Sequence, residues 1–300
     1  FISSELSQKQ PLIQSKIMTP YDQLIDRLID LAIAEDLGDG DHSSLSCIPY
    51  DAVGAVQLMM KQEGVIAGLR VAERIYKRID GSISINFLKS DGELLQSGDI
   101  AFRAYGRVHA LLQAERIVLN VLQRMSGVAT QTREYVKLCE GTKAKVLDTR
   151  KTTPGMRVLD KMAVAIGGGL NHRMGLFDMI MLKDNHIDFA GGVEQAIRMA
   201  NEYLAKTGRN LDIEVETRSL NDVETVLRVG GVRRIMLDNF TVSDTRKAVE
   251  MVNGRFETES SGGINLSTIR DYALCGVDYI SVGAITHQIK SIDMNLKKVE

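Results

Sequence analysis

From residue 144 onward the chain alternates between short apolar strand-like runs and amphipathic helical stretches, and that beat leaves few folds open to it. The strand-like runs are Ala144–Leu147, Phe177–Leu182, Leu211–Val215, Arg234–Leu237, Arg255–Thr258 and Val277–Val282. Helix-like stretches lie between the later ones: Val193–Leu204, Ser219–Val229, Val242–Val252 and Leu266–Cys275. Strand, helix and parallel strand make a right-handed crossover, so this half builds a parallel sheet. The last four units recur about every 22 residues, a regular spacing that favours a closed or nearly closed (β/α) barrel. An open doubly wound sheet is the alternative.

The first half keeps a different rhythm. Leu24, Ile25, Leu28, Leu31 and Ala32 recur at helical spacing from Tyr21, and Gly38 follows as a stop. Strand-like runs come next at Ala52–Met60, Val65–Ala67, Ile83–Leu88 and Ile100–Tyr105, with a helical stretch at Arg70–Ile79. A long helix is expected from about Ala110 to Met125. The fold class is therefore α/β: an N-terminal α+β open sandwich over residues 21–130 and a barrel over 131–288. Residues 289–300 are free to rejoin the first sheet. Residues 1–20 are polar, lack the compact apolar core of a signal peptide, and read as a flexible lead-in.

Composition excludes several functions. The net charge is −2, which gives no support for nucleic acid as a partner. No apolar run approaches the roughly 18 residues of a membrane helix. Cys47, Cys139 and Cys275 are widely spaced and outside any CxxC pattern, which fits a reducing, cytoplasmic setting better than a disulfide scaffold. Cys139 and Cys275 fall on helical stretches and read as buried packing residues.

Polar residues sit directly after the second-half strands: Asp148-Thr149-Arg150-Lys151, Lys183-Asp184-Asn185-His186, Glu214-Val215-Glu216, Asp238-Asn239, Glu259-Ser260-Ser261-Gly262-Gly263 and Gly283-Ala284. In a (β/α) barrel those strand ends form the floor of the active site. Arg150, Lys151, Arg173 and Lys183, with His172 beside Arg173, make a receptor for a polyanion. Glu216 and Asp238 suit a hydrated Mg²⁺, sugar hydroxyls, or both. Backbone amides at Gly262-Gly263, opening a helix at about Leu266, and at Gly283-Ala284 suit a phosphate. Gly167-Gly168-Gly169 follows a helical stretch rather than a strand and is no dinucleotide loop. His42 and His109 read as ordinary polar or capping residues, and His186 as a supporting one.

Several runs carry a resemblance: Glu115-Arg116-Ile117-Val118-Leu119-Asn120, Asp148-Thr149-Arg150-Lys151-Thr152-Thr153-Pro154-Gly155, Gly168-Gly169-Leu170-Asn171-His172-Arg173 and Leu182-Lys183-Asp184-Asn185-His186. Leu237-Asp238-Asn239-Phe240, Glu259-Ser260-Ser261-Gly262-Gly263-Ile264 and Val282-Gly283-Ala284-Ile285-Thr286-His287 continue it. Together they resemble the quinolinate phosphoribosyltransferase family, in order, from Glu35 onward. Departures are mild: Ser43-Ser44 stands where threonine is common and Val128 where isoleucine is common.

The resemblance implies a seven-stranded barrel, a homodimer or assembly of dimers, and decarboxylating transfer of phosphoribose from phosphoribosyl pyrophosphate to quinolinate in NAD biosynthesis. It implies that Thr149, Arg150, Lys151, His172, Arg173 and Lys183 line the quinolinate pocket, with Arg116 reaching in from the neighbouring subunit. Glu216 and Asp238 are expected to hold Mg²⁺, directly or through water, and the ribose hydroxyls; with Lys151 they form the expected catalytic set. Ser261, Gly262, Gly263, Gly283, Ala284 and His287 are expected around the 5-phosphate. Rival readings are a phosphoribosyltransferase that takes nicotinate without decarboxylation, and a catalytically silent binding or scaffold barrel. The number of cations favours the dicarboxylate, and the complete polar ring speaks against a silent barrel.

Overall fold

The computed structural model describes residues 20–299, so the expected lead-in over residues 1–20 lies, apart from Pro20, outside the described residues. Along the chain run β1 (Val53–Met60), β2 (Gly64–Val65), β3 (Ser84–Phe87), β4 (Leu94–Leu95), β5 (Ile100–Arg107), β6 (Lys145–Leu147), β7 (Ile180–Leu182), β8 (Ile213–Thr217), β9 (Arg234–Asp238), β10 (Glu257–Ser261), β11 (Tyr279–Ser281) and β12 (Met294–Lys298).

β12, β1, β5 and β3 form an antiparallel sheet in that order. The last strand, from the far end of the chain, pairs with the first, Leu58 lying opposite both Leu296 and Phe102. Val56, Leu58 and Met60 alternate into the core. Helix Leu69–Ile79 and the long helix Val108–Leu138 pack together beside this sheet.

The long helix continues thirteen residues past the Met125 end expected from apolar spacing. Ser126-Gly127, just past that expected end, is a contact point. The Ser126 hydroxyl accepts the Ala67 amide (3.0 Å). Any Cβ on Gly127 would lie 2.5 Å from the Lys290 carbonyl oxygen, so glycine admits the chain leading to β12.

β6, β11, β10, β9, β8 and β7 follow one another as six parallel strands among the described residues. The seventh position of the expected barrel is held by Leu170, which makes a single parallel bridge to Leu147 on the free edge of β6. The Leu170 amide donates to Val146 (2.8 Å) and its carbonyl accepts from Asp148 (3.1 Å). The loop beyond it carries Asn171-His172-Arg173, of which His172 and Arg173 are buried, and the Arg173 guanidinium donates to the Met179 carbonyl just before β7 (3.1 Å).

Period-two alternation divides these strands between helices and lumen. Val215, Ile235, Leu237 and Ile280 are buried in the apolar core. The alternate set is Glu214 and Glu216, then Arg234, Met236 and Asp238, then Glu257, Glu259 and Ser261, then Tyr279 and Ser281. Register stacks them: Arg234 is opposite both Glu214 and Glu257, Met236 opposite Glu216 and Glu259, and Asp238 opposite Ser261. The lumen of this barrel is charged.

Candidate active site

The C-terminal strand ends open into a cavity of about 830 Å³. Thr149, Arg150, Lys151, His172, Arg173, Lys183, Glu216, Asp238, Ser261, Gly262, Gly263, Gly283, Ala284 and His287 all line it. Every barrel residue expected in the substrate, metal or catalytic set is thus brought to one place. Arg116 is not. It is exposed on the long helix, outside the cavity of its own chain.

The walls are held from beneath. Asp148 and Lys161, both fully buried, form an ion pair at the end of β6. Asp148 also accepts the His172 amide (2.8 Å), and the Lys161 ammonium donates to the His172 carbonyl (2.9 Å). Oriented by its neighbours, the Asn171 amide donates to the second oxygen of Asp148 (2.7 Å). Burial raises the Asp148 carboxyl above its ordinary value and lowers the Lys161 ammonium, each partly offset by the other. Arg157 binds the carbonyls of Met174 (3.2 Å) and Arg150 (3.4 Å), tying the two cation-bearing loops together. The Thr286 hydroxyl donates to the Lys151 carbonyl (2.9 Å), joining that loop to the one after β11.

Among the described residues, Arg150, Lys151, Arg173 and Lys183 make no direct ion pair, although carboxylates lie nearby. Burial, and then the nearby Arg150, pull Arg173 below its ordinary pKa. The Arg150 Nε atom is buried without a partner. Like charges gathered in this way form an anion receptor.

Opposite them, burial and then the negative charge of Asp238 raise the Glu216 carboxyl, and burial raises Asp238. No ion pair is recorded for either carboxylate among the described residues. Two neighbouring carboxylates that share the nearby Lys183 charge but make no direct ion pair suit a hard, hydrated divalent cation. A second cluster, His172, Glu214 and Glu259, is compact enough to ligate a metal. Its central space is already served by Arg234, whose guanidinium lies 2.9 Å from Glu259 and 3.8 Å from Glu214. It is a closed ion-pair group.

The glycine loops are shaped by their neighbours. Gly262 has φ +94°, and a Cβ there would meet the Asn239 side chain at 2.2 Å. Gly283 is closed in by His287 Nε2, 2.9 Å from where its Cβ would sit. The helix after Gly263 begins at Ile269 rather than at about Leu266. Asn265 intervenes, its side-chain oxygen accepting the Ser267 amide (2.9 Å) and hydroxyl (2.6 Å) and holding a turn. His186 accepts the Lys183 amide (3.0 Å) at the start of helix Asp184–Ala190, a supporting role. His109 lies 3.0 Å from the Ile48 carbonyl and His42 3.3 Å from Asp39, both outside the cavity.

Sequence reasoning missed Tyr135, Met181, Met236, Asn265 and Gln288 as lining residues. Met181 and Met236 were legible as inward-facing strand positions. Tyr135 lies on the part of the long helix past its expected end.

Comparison with known proteins decides the family. The sequence matches the description of the quinolinate phosphoribosyl transferase C-terminal domain over residues 128–297 and of its N-terminal domain over residues 41–126. The chain belongs to the quinolinate phosphoribosyltransferase family. It is 44% identical to a chloroplastic nicotinate-nucleotide pyrophosphorylase (carboxylating) of Oryza sativa subsp. japonica, covering 90% of this chain and 76% of that protein. A probable nicotinate-nucleotide pyrophosphorylase of Bacillus subtilis is 37% identical, covering 90% of this chain and 92% of its own. The solved structure of the nicotinate-nucleotide pyrophosphorylase from Francisella tularensis superposes with a TM-score of 0.87 at 37% identity, covering 94% and 98%. Human nicotinic acid phosphoribosyltransferase, at 12% identity and a TM-score of 0.58, shares the fold alone.

Within this family architecture, Lys161→Met tests the scaffold beneath the site. It leaves the Asp148 carboxylate buried and unpaired, and breaking a buried pair costs about 3–5 kcal/mol. Urea unfolding at pH 7 should show that loss. The loss should shrink as the pH is lowered, because burial raises the Asp148 carboxyl and protonation removes its unpaired charge. A loss below about 1 kcal/mol at pH 7 would show the pair to be dispensable.

Proposed function

We propose that this protein transfers the phosphoribosyl group of phosphoribosyl pyrophosphate to quinolinate, with loss of the 2-carboxylate as CO₂ and uptake of a proton at that ring carbon in its place, giving nicotinate mononucleotide and pyrophosphate in de novo NAD biosynthesis. The observation that carries the reading is the convergence of Arg150, Lys151, Arg173 and Lys183 with Glu216, Asp238 and two glycine loops on one cavity, in a chain of this family. Quinolinate is a pyridine dianion. Arginine forks match its carboxylates, and burial strengthens each contact. Its ring nitrogen attacks C1 of the ribose as pyrophosphate leaves, through a transition state with oxocarbenium character. Arg150, Arg173 and Lys183 hold the carboxylates and orient the ring. Lys151, its loop tied to that of Gly283 through Thr286, faces the departing pyrophosphate. Ser261, Gly262, Gly263, Gly283, Ala284 and His287 surround the 5-phosphate.

Glu216 and Asp238 are fitted to hold Mg²⁺, directly or through water, and to receive the ribose hydroxyls. When bound, the metal neutralises charge on the pyrophosphate. No side-chain nucleophile is required, and none of the cysteines lines the cavity. Cys47 is exposed while Cys139 and Cys275 are buried, and all three are free thiols, which supports a reducing compartment and, with it, the cytoplasm. The reading includes no nucleic acid and no membrane. No helix among the described residues is long and apolar enough to cross a bilayer.

Arg116 needs a second subunit if it is to act. It is exposed, with Leu112 one turn earlier also exposed on the same helix, which supports a homodimer or assembly of dimers with shared active sites.

The activity is tested by incubating the protein with phosphoribosyl pyrophosphate, Mg²⁺ and either quinolinate or nicotinate. Mononucleotide and CO₂ in equal amounts from quinolinate are expected; turnover of nicotinate alone, or of neither, would overturn the reading. Sharing of the site is tested by mixing inactive Arg116→Ala with inactive Lys151→Ala protein. Heterodimers should recover roughly a quarter of wild-type activity if half the chains pair heterotypically and one of their two sites is intact. Absence of any recovery on subunit exchange would place Arg116 outside the reaction.

A further inference from the structure

His172 lines the cavity, yet its polar atoms all face protein. Its amide donates to Asp148 (2.8 Å) and its carbonyl accepts from Lys161 (2.9 Å). Nδ1 accepts the Arg173 amide (2.7 Å). Nε2 is buried and lies 2.9 Å from Glu214 and 3.5 Å from Glu259. With both ring nitrogens turned toward protein atoms, the ring offers substrate only carbon. What it does offer is a rigid mount for the backbone of Arg173.

The mount rests in turn on Arg234. This residue stands at the opposite end of the barrel, at the start of β9, with its guanidinium over the Tyr279 ring at 4.0 Å. One arm pairs with Glu259 (2.9 Å) and lies 3.8 Å from Glu214, and the other side of the fork meets Glu257 at 3.3 Å. His172, Glu214, Arg234 and Glu259 therefore close a four-membered ring of groups in alternating sense. Two fully buried carboxylates repel each other, and among the described residues the side chains with an ion pair to both are His172 and Arg234.

We propose that Arg234 is a positioning residue for quinolinate. Through Glu214 and Glu259 it fixes the His172 ring, and through the Nδ1 contact it sets the place of the Arg173 guanidinium in the cavity. This inference rests on the proposed activity. It assigns recognition to a side chain that touches no substrate and lies at the end of the barrel away from the active site. The Lys151 loop is tied to the helix after Gly283 through Thr286, and Gly262 packs on Asn239, contacts that do not involve Arg234, so binding of phosphoribosyl pyrophosphate depends on it less than quinolinate binding does.

The test is steady-state kinetics on three variants beside the wild type. Arg234→Lys keeps the charge and loses the fork. Arg234→Gln removes the charge. Arg234→Met combined with Glu259→Gln removes one charge of each sign from the group and leaves the Glu214–His172 contact in place. The expected result is a KM for quinolinate raised at least tenfold in the Gln and double variants and raised less in the Lys variant. The KM for phosphoribosyl pyrophosphate should stay within twofold of wild type and kcat within about threefold. Should Arg234→Gln fail to fold, the Lys and double variants still decide. Wild-type KM for quinolinate in a folded Lys or double variant would overturn the inference, and so would equal rises in both KM values, which a general loss of structure gives. An inactive wild type would instead overturn the proposed activity.

Discussion

A buried column of ion pairs runs through the barrel where such folds ordinarily keep layers of branched apolar side chains. Its members are Glu257, Arg234, Glu214, Glu259 and His172, followed by the Asp148–Lys161 pair at the rim. Charges in a water-poor lumen gain little net stability over apolar packing, but each becomes costly once its partner is gone. The arrangement is therefore all-or-none. Its consequence is geometric: one strand register places one set of residues, and the loops carrying Arg150 and Arg173 inherit that placement.

The cavity follows from this base. Cations on loops after β6 and between Leu170 and β7 face carboxylates at the ends of β8 and β9. Neither set neutralises the other by direct pairing among the described residues. Burial disfavours the charged forms of Arg173, Glu216 and Asp238 in the open site, so each of these groups gains from a partner of opposite charge. A dianion on one side and a divalent cation with sugar hydroxyls on the other satisfy both at once. The same reasoning explains how a chain of net charge −2 can take two polyanionic substrates: its positive charge is local.

Much of this was legible in the sequence because charged residues directly after apolar strands have few structural reasons to be there. Asp148-Thr149-Arg150-Lys151 and Asp238-Asn239 announced themselves in that way. Arg234 did not, since Arg-Ile-Met-Leu-Asp reads as an ordinary strand with a charge at each end, and only the register shows that Arg234 faces inward onto two glutamates. The seventh barrel position was implied by the family resemblance, but its form, a single bridge at Leu170, leaves no periodic signal. The true length of the central helix was hidden for a similar reason. Ser126-Gly127 is a break by local propensity, and the contacts that override it come from Ala67 and Lys290, distant in sequence.

The central claim is that the cavity is built for two carboxylates on one ring. Equilibrium titration of the wild-type protein with quinolinate and with nicotinate, at matched ionic strength, tests it most directly. A second charge-assisted contact is worth roughly 1.5–3 kcal/mol, so quinolinate should bind at least about tenfold more tightly, with the gap narrowing as salt is raised. Equal affinity for the two acids, or a gap indifferent to salt, would contradict the account.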